Sequence, residues 1–491
     1  MFVSSLETIF LAAFVLLSAL CVTAVVFFER KNPTSSIAWV LVLLFLPVVG
    51  FIAYIFIGSG FRINKKKKYK LKAASDDLYD MFIRRHLNIA DALKFMQEHE
   101  NSARMMTYLF NGGDGVYTTE NDITVFTDGN DMFPSLIDDI KKAREHIHLL
   151  YFIFNNDRIG KEIAALLTHK AKRGVEVRLI YDSVGSRAIF NPPIFRKLRE
   201  AGGQVLGFSP VFSNLNSHLR LNYRNHRKLT IIDGRIGYVG GMNIGDEYMG
   251  KDKKLSPWRD THLRMTGPAV WFLQERFLMD WSYTSEMDIQ DIDKAQKFFP
   301  EPIPLQDGQK GLGVQIVSGG PDTTANPLKG GLLNMINSAR KNLYIQTPYF
   351  SPDGSIVEAL CIAARSDVDV RLMLPNVSDH WLSQMSALGY ARQIMDAGVK
   401  VFLYNGFLHA KAVVADSLIT SIGTTNITNR SFLMDFEINA FIYDSGFAAN
   451  YEEIFCRDQE NSLELTCEWF SEQKLFNRAA FNFTRLFTPL M

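Results

Sequence analysis

The sequence predicts an α/β protein whose two similar halves share one site, preceded by a two-helix membrane hairpin. Three observations lead to this prediction. Two apolar runs lie near the N-terminus, and a series of strand and helix landmarks occurs twice in the same order. A short motif of His, Lys and Asp also occurs twice at identical spacing, once in each half.

The first apolar run, Thr8–Phe28, contains no charged residue. It is long enough to cross a hydrocarbon layer of ~30 Å as a helix. Only residues 29–36 separate it from the second run, Ile37–Gly58, so the two runs are expected to form a tight hairpin. A cleaved signal peptide is the alternative for the first run, but a basic start and a small-residue cleavage site are both missing.

The second run has the features of a membrane helix. Trp39 and Tyr54 lie near its two ends, where interfacial aromatic residues are typical. Pro47 and Gly50 would kink the helix, which membrane helices tolerate.

A basic cluster follows the hairpin. Its members are Arg62, Lys65, Lys66, Lys67, Lys68, Lys70 and Lys72. Basic residues beside a membrane helix favour the cytoplasmic side and can bind anionic lipid head groups. Arg30 and Lys31 in the hairpin loop favour the opposite orientation but are outnumbered. We therefore expect a multi-pass protein of the cell membrane with a cytoplasmic catalytic region, a hairpin over residues 1–60, and a basic segment with a helical connector over residues 61–115.

The remaining chain contains an internal repeat. Its landmark segments are Ile147–Phe154, Val175–Leu179 and Ala201–Val205 in the first half, and Leu343–Phe350, Val368–Leu372 and Ala397–Val401 in the second. Strands that alternate with helices imply parallel sheets covered by helices, so two α/β units are expected to lie side by side. We assign residues 116–300 to the first repeat and residues 301–491 to the second, which ends in a helical segment.

Each half runs on to its own motif. The candidate catalytic residues are His226, Lys228 and Asp233 in the first motif and His409, Lys411 and Asp416 in the second. Alternate residues of a strand share a face, so each His and its Lys should point the same way. A small-residue turn follows each motif and ends in Asn243 or Asn426. Because the spacing is identical in both halves, a functional site is favoured over two polar strand faces.

Two imidazoles, two ammonium groups and two amides in one pocket suit a phosphodiester. The lysines and turn asparagines can donate hydrogen bonds to its non-bridging oxygens. One His can attack phosphorus while the other protonates the leaving alcohol. Lysine is cationic near neutral pH, and no cluster of His and carboxylates has metal-ligand spacing, so we expect neither a metal ion nor another cofactor.

The composition excludes some partners. A net charge of +1 over 491 residues argues against a nucleic-acid partner, which usually requires a strongly basic domain. The four cysteines show neither metal-ligand spacing nor a disulfide framework. The sequence carries no signal for oligomeric state.

With these motifs the chain resembles the phospholipase D superfamily and, within it, the bacterial cardiolipin synthases. Besides the motifs, the resemblance rests on the segments Asn32–Trp39, Gly240–Tyr248, Trp258–His262, Gln346–Asp353, Gly406–Lys411 and Arg430–Phe432. It implies two phospholipase D-like α/β sandwich repeats that form one active site.

The resemblance also implies roles for individual residues. His226 would be the nucleophile and His409 the general acid. Asp260 would hold the imidazole of His226, and Glu437 would hold that of His409.

Other positions are assigned by the same resemblance. The motif residues Asp233 and Asp416 would be structural. Thr428 and Asp435 stand where cardiolipin synthases usually carry Asp and Asn.

The implied reaction joins two phosphatidylglycerol molecules into cardiolipin and releases glycerol through a phosphatidyl-histidine intermediate. Phosphatidylglycerol and cardiolipin in the membrane are therefore the expected partners. A phospholipase D-type hydrolase, or a transferase using another alcohol, would use the same two histidines. A scaffold that only binds anionic lipid would need neither a nucleophile nor an acid, so the intact motifs disfavour it.

Overall fold

The structure is a computed structural model. It describes residues 100–186, 192–208, 223–285, 296–323 and 325–485, with separate positions and short stretches between residues 12 and 97. The predicted basic cluster and the first part of the predicted connector lie outside the described residues.

The helices alternate with strands over most of the described chain. They are α1 (Pro33–Phe45), α2 (Glu100–Gly113), α3 (Gly129–Lys142), α4 (Arg158–Lys172), α5 (Arg196–Glu200), α6 (Ala269–Ser285), α7 (Pro327–Ser338), α8 (Gly354–Arg365), α9 (Trp381–Met395), α10 (Asn429–Leu433), α11 (Ser445–Glu460), α12 (Cys467–Glu472) and α13 (Leu475–Arg485). Aspartates begin several of them, because a carboxylate satisfies the free N–H groups of the first turn. Asp128, Asp157, Asp353 and Asp444 cap α3, α4, α8 and α11 in this way.

The strands follow the predicted repeat. Those of the first half are β1 (Tyr117–Phe126), β2 (His146–Tyr151), β3 (Glu176–Asp182), β4 (Gln204–Phe208), β5 (Lys228–Ile232), β6 (Ile236–Gly240), β7 (Trp258–Arg259) and β8 (His262–Thr266). Those of the second half are β9 (Leu312–Gly319), β10 (Asn342–Gln346), β11 (Phe350–Ser351), β12 (Asp369–Pro375), β13 (Lys400–Tyr404), β14 (Phe407–Leu408), β15 (Ala412–Ala415), β16 (Ile419–Gly423), β17 (Ile427–Thr428), β18 (Glu437–Tyr443) and β19 (Ser462–Glu464). All six landmark segments of the predicted repeat therefore contain strands.

Fifteen of these strands form one continuous sheet. Their order is β19-β13-β12-β10-β15-β16-β18-β9-β1-β8-β6-β5-β2-β3-β4. The two halves meet at its centre, where β1 and β9 pair antiparallel. One buried apolar cluster also contains side chains of both halves, including Leu229 and Trp271 from the first and Val414 and Ile438 from the second. The repeats are therefore joined through sheet and core.

The prediction of parallel sheets is wrong for most of this sheet. Only β2-β3-β4 and β10-β12-β13 are parallel. In each half, the strand that carries the motif Lys or follows it forms a hairpin with the next strand, β5 with β6 and β15 with β16. A turn this short can join only antiparallel strands.

The N-terminal region contains α1, a helix of 13 residues. Among the described residues, no helix combines the length and the apolar character needed to cross a membrane. The rings of Trp39 and Tyr54 lie 5.3 Å apart, whereas a straight helix would separate these positions by roughly 22 Å along its axis. The two rings are therefore neighbours in the structure, although the sequence places them near opposite ends of the second apolar run.

Candidate active site

The two motif histidines are fixed by the main chain of opposite halves. His226 precedes β5, and its N–H donates to the carbonyl oxygen of Phe436 at 3.0 Å. His409 precedes β15, and its N–H donates to the carbonyl oxygen of Arg259 at 2.6 Å. Neither half can therefore position its histidine alone.

Carboxylates hold both imidazoles, but the partners are the reverse of those predicted. His226 Nδ1 lies 3.0 Å from each carboxylate oxygen of Glu437, and His409 Nδ1 lies 2.7 Å from Oδ2 of Asp260. Both acids are fully buried. The predicted pairing of Asp260 with His226 and of Glu437 with His409 is therefore wrong, since each acid reaches across to the other half.

Short parallel pairings between the halves cause this exchange. β14, which leads to His409, pairs with β7, and Asp260 is the residue that follows β7. In the same way, the residue before His226 forms a parallel bridge to Phe436, which precedes Glu437. Strand register thus sets each imidazole beside the acid of the opposite half.

Both of these carboxylates are ionised. Burial alone would raise the pKa of Asp260 and of Glu437, but the paired histidine and the neighbouring motif lysine lower both pKa values. An ionised carboxylate only accepts hydrogen bonds, so each imidazole donates its Nδ1–H and keeps a lone pair on Nε2. A nucleophile or a general base needs such a lone pair.

The imidazoles themselves are neutral near pH 7. Burial lowers the pKa of His226 and of His409 to about 4, and the carboxylates offset only part of this shift. A bound anion would raise both pKa values again, because it stabilises the imidazolium form.

The two motif lysines are buried beside the histidines. Lys228 Nζ donates to the carbonyl oxygen of His226 at 2.6 Å, and Lys411 Nζ donates to that of His409 at 2.5 Å. Burial lowers the pKa of Lys228 to about 7 and that of Lys411 to about 8. An anion in the pocket would therefore favour the charged form of both ammonium groups.

Electrostatic interactions connect the two motifs. The charge of Lys411 lowers the pKa of both His226 and Lys228, and the charge of Lys228 lowers the pKa of His409. Interactions of this kind weaken with distance, so they require the two motifs to be near neighbours. The two His-x-Lys pairs are therefore close neighbours in the structure.

The turn asparagines differ in their contacts. Asn243 Oδ1 accepts from the N–H of Ile153 at 3.0 Å, and its Nδ2 donates to the hydroxyl of Tyr248 at 2.6 Å. Asn426 is also buried, but its Oδ1 has no hydrogen-bond partner among the described residues. A buried polar atom of this kind needs a partner, which a ligand hydroxyl can supply.

The motif aspartates lie outside the pocket, so their place in the candidate catalytic set is corrected. Asp233 accepts hydrogen bonds from the N–H groups of residues 144–146, and Asp416 accepts from those of residues 340–342. Asp233 follows β5, at the opposite end of that strand from Lys228. Both aspartates have positive φ, 52° and 54°, and stabilise the turns after β5 and β15.

Two buried arginines that the sequence analysis missed support the acids. Arg227 Nε donates to the carbonyl oxygen of Glu437 at 3.1 Å, and its Nη1 lies 2.8 Å from both oxygens of Asp280. Arg259, which precedes Asp260, forms an ion pair of 2.8 Å with Asp458. Arg227 was detectable from the sequence, because it is the middle residue of its His-x-Lys motif and strand alternation turns it to the face opposite His226 and Lys228.

The two departures from the family pattern have structural counterparts. Thr428 caps α10 and accepts a hydrogen bond from the N–H of Ser431 at 3.1 Å. Asp435 is buried, and both of its oxygens lie 3.1 Å from the guanidinium group of Arg430. Burial, followed by the charge of Glu437, raises the pKa of Asp435 to about 7 despite this ion pair.

Asp435 also affects the pocket, since its negative charge raises the pKa of Lys228. Asp435→Asn should therefore lower that pKa further below its present value of about 7, so that the ammonium is lost at lower pH. We expect the alkaline limb of the pH–rate profile to shift to lower pH, measured with detergent-dispersed phosphatidylglycerol. The exposed Asp307→Asn is the control and should leave the profile unchanged. An unmoved or upward-shifted limb in Asp435→Asn would contradict this coupling.

Among the described residues, no group of three or more His, Cys, Asp or Glu side chains is arranged to hold a metal ion.

Comparisons with known proteins identify the family. The family described as "Cardiolipin synthase, PLD-like domain" matches residues 136–255 and 332–459, and the one described as "Phospholipase_D-nuclease N-terminal" matches residues 15–59. A cardiolipin synthase of Clostridium perfringens strain 13 is 44% identical over 468 residues, which cover 94% of this chain and 95% of that protein. The chain belongs to the cardiolipin synthase family. The major cardiolipin synthase of Bacillus subtilis strain 168 is 40% identical over 492 residues, covering 99% of this chain and all of that protein.

Family membership confirms the predicted resemblance and makes the chain a phosphatidyltransferase of the phospholipase D superfamily. A crystal structure of phosphatidylserine synthase from Haemophilus influenzae shares the fold, with a TM-score of 0.59 at 15% identity, over 80% of this chain and all of that one. The predicted α/β repeats are thereby confirmed.

Proposed function

We propose that the enzyme transfers a phosphatidyl group between two phosphatidylglycerol molecules, giving cardiolipin and glycerol. The observation that supports this most directly is the pair of imidazoles, each oriented by a carboxylate of the other half and flanked by two lysines. Such a set can hold one phosphodiester and supply a nucleophile on one side and an acid on the other. The cardiolipin synthases among its relatives support the choice of lipid.

In the first half-reaction, Nε2 of His226 attacks phosphorus and the bond from phosphorus to the glycerol oxygen breaks. His409 gives its Nε2 proton to that oxygen, so glycerol leaves as a neutral alcohol. His409 must be protonated for this step, and the bound phosphodiester favours protonation by raising its pKa from about 4. The nucleophile is assigned to His226 from the family resemblance.

In the second half-reaction, a glycerol hydroxyl of another phosphatidylglycerol gives its proton to His409 and attacks the phosphatidyl-histidine. The bond from phosphorus to Nε2 of His226 breaks, which frees the enzyme. Lys228 and Lys411 stabilise the charge on the non-bridging oxygens in both steps. The Oδ1 of Asn426, which has no partner among the described residues, can accept a hydrogen bond from a substrate hydroxyl.

The exchange replaces one phosphodiester with another of similar energy, so it requires no nucleotide. Transfer prevails over hydrolysis only where the second lipid alcohol reaches the intermediate before water does. A site that works at the membrane surface meets this condition.

Enzyme in vesicles of phosphatidylglycerol should therefore produce cardiolipin and glycerol in equal amounts when a metal chelator is present. His226→Ala and His409→Ala should each lower turnover by at least about 10³-fold, because each removes one reacting group. Mass spectrometry of the products is the measurement. Phosphatidic acid as the main product would identify a hydrolase instead.

We also propose that residues 1–60 form a two-helix transmembrane hairpin that keeps the enzyme in the cell membrane, with the catalytic repeats, residues 116–300 and 301–491, in the cytoplasm. Its support is the two apolar runs of the sequence, the contact between Val22 of the first run and the Trp39–Leu43 cluster of the second, and the basic residues of segment 61–115.

Single cysteines near Lys68 should thus react with a membrane-impermeant reagent only after cells are opened. A cysteine at Ser35, in the first turn of α1 and between the two apolar runs, is the matched control and should react in intact cells. Labelling near Lys68 from outside would contradict the cytoplasmic orientation.

A further inference from the structure

A group of large apolar side chains is exposed on the second half. Its members, called the aromatic patch below, are Trp381 (51% exposed), Leu382 (39%), Leu475 (80%), Phe476 (71%) and Phe483 (59%). The rings of Trp381 and Phe476 stack with centroids 6.4 Å apart, which joins α9 to α13 in one surface. Contiguous exposed apolar surface rimmed by polar residues marks an interaction site.

The patch follows from the way α13 packs. This helix buries Ala480, Phe481 and Thr484, whereas Phe476 and Phe483, on the stripe beside them, stay exposed. A helix that only covered the domain would place polar residues on that stripe.

The charged residues of α13 and of the position before it are all basic. The segment from Lys474 to Arg485 contains three basic residues and no acidic residue. Arg478 is exposed on the same helix as Phe476, and Lys474 is exposed at the position before the helix begins. A helix with outward Leu and Phe residues and a basic polar face is typical of one that lies on an anionic bilayer surface.

Asp379 connects the patch to the second motif. Trp381 follows Asp379 by two residues, and Asp379 accepts a hydrogen bond from the hydroxyl of Tyr349 at 2.7 Å. The charge of Asp379 also raises the pKa of Lys411. The aromatic patch therefore begins next to a side chain that is an electrostatic neighbour of the catalytic pocket.

We propose that the aromatic patch docks on the surface of the bilayer that supplies the substrate, with its apolar side chains in the head-group region and its basic residues against anionic lipids. This inference rests on the proposed function, because a lipid substrate must pass from the bilayer to the pocket. Charge and position favour a membrane over a protein partner, since Trp, Phe and Lys together are typical of the membrane interface. The patch thus orients the pocket toward its substrate, which a hairpin anchor alone would not do.

The test uses the full chain in vesicles of phosphatidylglycerol and phosphatidylcholine. Its four native cysteines are replaced by Ser. A fluorophore is then attached to Phe476→Cys or to the control Ile362→Cys, which replaces another exposed apolar residue, on α8 (56% exposed). Acyl-chain-brominated lipid should quench the fluorophore at position 476 strongly and that at position 362 weakly. Equal, weak quenching at both positions would overturn the proposal. In detergent, the fluorophore at position 476 could instead become more shielded as the protein concentration rises. That result would also overturn the proposal, in favour of contact with a second copy of the chain.

A kinetic arm separates docking from chemistry. Leu475→Ser with Phe476→Ser should raise severalfold the surface concentration of phosphatidylglycerol needed for half-maximal rate in vesicles. The rate on detergent-dispersed phosphatidylglycerol should stay within about twofold of wild type, because neither residue touches the pocket. Ile362→Ser should change neither quantity. An unchanged vesicle requirement in the double variant would contradict docking, whereas quenching at position 476 without any cardiolipin formed would contradict the proposed function alone.

Discussion

The active site depends on two hydrogen bonds between carboxylates and imidazoles that cross from one half of the molecule to the other. Glu437 of the second half holds His226, and Asp260 of the first half holds His409. Because each half orients the reactive group of the other, neither repeat contains a complete site. A gene duplication of an α/β unit would yield such a site only when both copies pack together, and the continuous sheet through β1 and β9 provides that packing.

Burial gives these groups their reactivity and also makes them costly to fold. Lys228, Lys411, Asp260 and Glu437 are all nearly or fully buried, and burial disfavours the charged form of each. The arginine pairs behind them, Arg227 with Asp280 and Arg259 with Asp458, hold the main chain of the acids. A bound phosphodiester adds the negative charge that favours both ammonium groups and one imidazolium, so the pocket is more complementary to its ligand than to water.

Much of this arrangement is predictable from the sequence, because the chemistry and the repeat are both local patterns. The repeated strand landmarks predict the two halves, the paired His-x-Lys spacing indicates the superfamily, and the flanking segments narrow the resemblance to the cardiolipin synthases. The exchange of Asp260 and Glu437 was not predictable, because both acids follow their motifs at similar distances and only strand register decides which imidazole each one meets. The antiparallel pairing of β5 with β6 and of β15 with β16 departs from the predicted parallel sheets, since the alternation of helices and strands does not distinguish a crossover from a hairpin. In the sequence, Asp435 is only a departure from the family pattern. Its burial and its ion pair with Arg430 are seen only in the structure.

The cross-half pairing is tested most directly by ¹⁵N-histidine NMR of the wild-type enzyme, with the signals assigned by their loss in His226→Ala and His409→Ala. Glu437→Gln should shift the Nδ1–H signal of His226 and lower its pKa further below about 4, since that carboxylate raises it, while the signals of His409 stay in place. Asp260→Asn should act in the same way on His409 and leave His226 unchanged. Signals of His226 that respond to Asp260→Asn and not to Glu437→Gln would contradict the account.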